Sequence, residues 1–219
     1  MSGPPEKPRL RGVFHQIAFF VFGAVNVGLY LSVEGERAKQ AMLVYAASIA
    51  FLYGVSALYH RVDWSPSARQ RMRSLDHSAI FVMIWGSYSP LFLLLVPEGY
   101  DGRPMLWTTI FAGLGVAKSL LWAHAPKALT ALLAIAVGWS AVLHAIRLAP
   151  VMGHPSVELL FGSGIVYTLG AVVYALKRPD PFPRTFGYHE VFHLFVIAGS
   201  LVHYGHTLLV LEKAGALSW

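Results

Sequence analysis

Apolar residues in this chain fall into long blocks, at roughly 12–31, 40–60, 75–96, 104–122, 127–147, 155–176 and 188–211. Each block is close to the ~20 residues a helix needs to cross a bilayer core. Short polar or Pro/Gly-bearing connections separate them, RVDWSPSARQRMRS, VPEGYDGRP and KRPDPFPRTFG among them. The pattern predicts an all-α membrane protein: a seven-transmembrane helix bundle over residues 12–211, with tails at 1–11 and 212–219. The first block follows basic residues, as in a signal peptide. It is long enough to span, however, and no small-residue cleavage site precedes Glu34-Gly35-Glu36, so it reads as the first transmembrane helix.

Composition agrees. Of 219 residues, 56% are hydrophobic and 13% charged, against about 25% charged in soluble domains. Mean hydropathy is +0.55. The chain has no cysteine, which excludes disulfides, thiolate metal sites and a cysteine nucleophile. A borderline metal would have to rely on histidine, supported by Asp or Glu.

Charge gives the orientation. The tail before residue 12 and the connections at 61–73, 127 and 177–184 carry eleven Lys and Arg, the opposite ends five, and Lys118 sits inside the fourth block. The positive-inside rule places the N-terminus in the cytoplasm and, after seven spans, the C-terminus outside. The protein is therefore expected to be multi-pass in the cell membrane. The net charge of +6 is scattered between the blocks, so anionic headgroups, not nucleic acid, are the partner it implies.

Ionisable residues within spans are the functional candidates. His60 ends the second block, Asp76 and His77 open the third, and His189 and His193 open the seventh, all at one cytoplasmic depth. His189-Glu190-x-x-His193 is a metal-binding spacing: its imidazoles lie about 40° and 6 Å apart on one helix face. His60 would add a third nitrogen from a facing helix. Three protein ligands leave a position for water, the open type of zinc site. Ser56, one turn before His60, reaches toward the ion or its water. Two carboxylates compete to handle that water, Glu190 and Asp76. A carboxylate at a helix N-terminus also has a bland electrostatic explanation, and Asp76, which opens a long apolar run, is the favoured one. His203, about 15 Å beyond His193, is too deep to share the ion and could line a cavity. His77 faces about 100° away from Asp76. His15, His124, His144 and His154 read as interfacial residues near span ends.

The motifs SALYH (56–60), LDHSAIFVMIWGSYSP (75–90) and HEVFHLFVIAGSLVHY (189–204) together resemble the hemolysin III family, the bacterial branch of the superfamily that includes the adiponectin receptors. The likeness runs from about residue 8 to 211, and the opening PRLRGVFHQIAFF is similar to actinobacterial members. It implies seven helices, a cytoplasmic N-terminus and a zinc ion held by His60, His189 and His193. Asp76 would hold the zinc-bound water, with Ser56 behind it. Adiponectin receptors have no acid at the place of Glu190, so the resemblance implies metal binding without the protease role. The first span lacks the family's Thr-His-Gly motif, keeping His15 and Asn26.

The expected function is a membrane-embedded zinc hydrolase acting on a lipid amide such as a ceramide-like molecule; the adiponectin receptors are credited with such an activity. The alternative is a non-enzymatic membrane-homeostasis or sensor protein with structural zinc. A pore-forming haemolysin ranks lower, because a stably integrated bundle has neither a secretion signal nor a soluble form. A proton or ion carrier needs polar groups through the whole membrane thickness, whereas here they gather near one face.

Overall fold

The structure is a computed structural model that describes residues 7–97, 99–100, 103–122, 124–140 and 142–217. Most of both predicted tails' ends (1–6 and 218–219) and the side chain of His144 lie outside the described residues. Helices α1 (Val13–Ser32), α2 (Glu36–Arg61), α3 (Pro66–Ser87), α4 (Ser89–Leu94), α5 (Arg103–Leu121), α6 (Lys127–Ser140), α7 (Val142–Met152), α8 (His154–Leu176) and α9 (Tyr188–Lys213) follow one another with short connections.

Local chemistry sets their ends. Ser65 caps α3 by accepting from the Ala68 N–H, and Pro66 begins the helix, where its missing N–H costs nothing. The third apolar block is broken at Tyr88, one residue before Ser89-Pro90. The Ser89 hydroxyl donates to the carbonyls of Gly86 and Ala41, tying the break to α2. Gly153, at φ +81°, turns the chain sharply between α7 and α8.

Among the described residues, five helical stretches are long and apolar enough to cross a membrane: Val13–Ser32, Glu36–Arg61, Pro66–Leu94, His154–Leu176 and Tyr188–Lys213. A sixth forms if Lys127–Ser140 and Ala145–Met152, bent by 46°, count as one span. The remaining block is the shorter helix Met105–Leu121. Its 17 residues would extend roughly 25 Å, less than a ~30 Å hydrocarbon core. The fifth block, expected to stop near 147, continues as α7 to Met152, with Pro150 inside that helix, and ends at Gly153.

Neighbours in the chain are neighbours in space: α1 lies on α2, α2 on α3, α3 on α5, α6 on α8 and α8 on α9, and α9 returns to α1. The core beside α1, α2 and α9 is built from Phe22, Met42, Tyr45, Tyr53, Met83 and Leu211. Phe20, Leu31, Leu121 and Leu176 point outward and exposed, as lipid-facing residues do.

Candidate metal centre

Three elements bring the polar residues together at one end of the bundle. His60 comes from the last turn of α2, and His189 and His193 from the first two turns of α9. All three are buried, and one ring nitrogen from each lies within 4.8 Å of the other two. The Nε2 atoms of His60 and His189 are 3.0 Å apart. Three imidazole nitrogens around a tetrahedral ion at about 2.1 Å would stand roughly 3.4 Å from each other, so the cluster matches such an ion with little movement. Among the described residues this is the group whose donors could hold a metal ion. The Nδ1 atoms of His189 and His193 are buried without a hydrogen-bond partner.

Asp76, on α3, places Oδ2 3.9 Å from His60 Nε2. It does not pair with Arg73, one turn earlier on the same helix. Ser56 and Asp76 stand side by side on the wall of one cavity. That cavity, about 140 Å³, is mostly apolar and runs between α3, α6, α8 and α9. His189 and His193 line one end; His203 and Tyr88 line the other. His203 is spoken for: its Nε2 donates to the Ser87 carbonyl at 3.0 Å, and its Nδ1 accepts from Ser163 at 3.3 Å. His77 lines the metal end, with its Nε2 3.4 Å from the Tyr174 hydroxyl.

Glu190 does not face the cluster. Its carboxylate is fully buried and takes a charge-assisted bond from Arg11 Nε at 2.5 Å; its other oxygen accepts from the Gly187 N–H at 2.8 Å. Through these bonds it satisfies the N-cap N–H of α9 and anchors the segment before α1. The helix N-terminus explains this carboxylate, and the His-Glu-x-x-His pattern does not make it a water-handling group here.

That N-terminal segment is what the sequence reading missed. His15, set aside as interfacial, is 2% exposed and lies flat on His193, with ring centroids 3.6 Å apart and planes 8° apart. Gly12, at φ +82°, lies so close to α2 that a Cβ there would stand 2.6 Å from His60 Cβ. Leu10 and Arg9 donate backbone bonds to Thr185 and Arg184, and Lys7 pairs with Asp63. The depth argument that gathered the other histidines applied equally to His15, at the same end of its helix.

Comparison with known proteins follows this geometry. Residues 5–204 match the family model described as "Haemolysin-III related". Hemolysin-3 of Bacillus cereus is 32% identical over 162 residues, covering 73% of this chain and 70% of that protein. A Hemolysin-3 homolog of Bacillus subtilis is 26% identical over 205 residues, covering 92% and 89%. The adiponectin receptor protein of Drosophila melanogaster is 29% identical over 169 residues, 69% of this chain but 38% of the receptor. A multi-pass helical bundle matched by that model over nearly its whole length belongs to the haemolysin-III-related family.

Proposed function

We propose that this protein is a zinc-dependent hydrolase buried in the membrane, cleaving a lipid amide of the ceramide type. The supporting observation is a three-imidazole cluster with a carboxylate 3.9 Å from one of its rings, opening into an apolar cavity. In this reading the bundle has seven spans with a cytoplasmic N-terminus, and His60, His189 and His193 hold zinc. The ion, when bound, acidifies a water and polarises an amide carbonyl. Asp76 orients the attacking water and accepts its proton, and Ser56 fixes the carboxylate. The apolar wall holds the acyl chain and keeps bulk water out. The likeness to adiponectin receptors, credited with ceramidase activity, points the same way.

Metal analysis of the purified protein tests the first half: about one zinc per chain in the wild type, and a clear loss in His60→Ala. Asp76→Asn tests the second half. It should retain the metal and lose about 10²–10⁴-fold in hydrolysis of a fluorescent ceramide; full activity in that variant refutes the role of Asp76. The alternative, a homeostasis or sensor protein with structural zinc, draws on the same ligands, since His60 and His189 would staple α2 to α9. It predicts that His189→Ala lowers the melting temperature and that no substrate is ever turned over. The name shared by the Bacillus relatives raises the cytolysin reading, which dye release from foreign vesicles by purified protein would support.

A further inference from the structure

Lys118, Lys127 and Arg73 gather at the metal end of the cavity, and none has an acidic partner among the described residues. Each touches or adjoins a residue of the cavity wall. Lys118 donates to Thr130. Lys127 sits over the faces of Tyr174 and Tyr188, 4.8 and 5.1 Å from their centroids, and donates to the Tyr188 hydroxyl at 2.8 Å. Arg73 lies one turn before His77 on the same face of α3 and reaches His124 at 3.4 Å. Thr130 stands one turn after Lys127 on α6, so Lys118 and Lys127 meet at the first turn of that helix.

Retention of positive charge at cytoplasmic loops explains the exposed Arg69 and Arg71. Lys118, in the last turn of the apolar helix α5, is not left to solvent alone: its ammonium is tied to a buried threonine of α6. Lys127 belongs to the same expected cytoplasmic charge bias, but it stands at the first position of α6, where the helix dipole disfavours a cation. Both cations find only neutral oxygens and aromatic faces. An anion placed between them would be favoured by both side chains and by the N-terminus of α6.

We propose that Arg73, Lys118 and Lys127 cradle the phosphate of an anionic lipid headgroup, whose chain enters the adjoining apolar cavity. This rests on the proposed function only in assigning the cavity to a lipid; among lipid amides it selects those that carry a phosphate on the headgroup, and the phosphatidate below serves as a headgroup probe, not as a substrate.

The test is binding of dioctanoyl phosphatidate, dioctanoyl phosphatidylcholine and inorganic phosphate to the full-length protein in neutral nanodiscs. A hydrogen bond to a charged group is worth roughly tenfold in affinity. The phosphatidate should therefore bind at least about tenfold more tightly than the choline lipid, and Lys118→Gln with Lys127→Gln should remove that preference. Lys118→Arg should keep it, which separates loss of charge from loss of fold. If the double variant does not fold, Arg73→Gln alone should still weaken phosphatidate binding. The same titration after zinc chelation should be unchanged, so failure of the metal assignment leaves the cradle standing. Equal affinity for the two lipids, or an undiminished preference in the charge-removing variants, overturns the proposal. Inorganic phosphate binding as tightly as the phosphatidate overturns the headgroup and leaves a free-anion site.

Discussion

At the scale of single residues, the convergence of three histidines was legible in the sequence and their surroundings were not. His60, Asp76, His189 and His193 could be gathered by depth alone, because spans that alternate in direction place these helix ends at one face. Direction of side chains is a different matter. Glu190 sits beside His189 in the sequence, but the orphan N–H groups at the start of α9 and the Arg11 guanidinium capture its carboxylate. Glu190→Gln should therefore spare metal content. It leaves Arg11 half-buried without its counter-charge, a loss of about 3–5 kcal/mol by the usual cost of breaking a buried pair, readable as a lower melting temperature. Gly12→Ala should behave in the opposite way, disturbing the metal more than the bundle. The added methyl meets His60 at 2.6 Å in a backbone conformation that suits glycine. A drop in bound zinc with a nearly unchanged circular dichroism spectrum is the expected result.

Among the helices, the seven apolar blocks located nearly every element, since a hydrophobic period and a span length are both written in the chain. What they hid were the interruptions. Tyr88-Ser89-Pro90 reads as apolar sequence, yet Pro90 lacks the N–H that would continue the ladder and Ser89 turns back to α2. The α8–α9 contact depends on Gly199, where a Cβ would come 2.7 Å from the Tyr167 ring. Gly199→Leu should force these helices apart and lower stability by about 1–3 kcal/mol, measured by thermal unfolding in detergent. Gly28→Ala, with open space around it, is the neutral control. The short helix Met105–Leu121 was counted as a span from composition; its length argues for local thinning of the bilayer or for help from Lys118 snorkelling at its end.

At the scale of the whole molecule, the absence of cysteine makes topology directly measurable. Lys177→Cys, in the connection before α9, should react with a membrane-impermeant maleimide only after the inner face is opened. Lys213→Cys, at the end of α9, should react on intact cells. The reverse result would invert the orientation taken from the lysines and arginines and place the histidine cluster on the outer side. Among the described residues, the cluster is buried in every member, borders the cavity through His189 and His193, and is covered by the segment that carries Arg11, Gly12 and His15. Because that leading stretch is stitched to Arg184, Thr185 and Glu190 and wedged against His60, anyone expressing this protein should attach purification handles at the carboxyl end. A bulky fusion at the amino end would crowd the histidines themselves, and zinc content measured on a preparation made that way would report on the fusion as much as on the native chain.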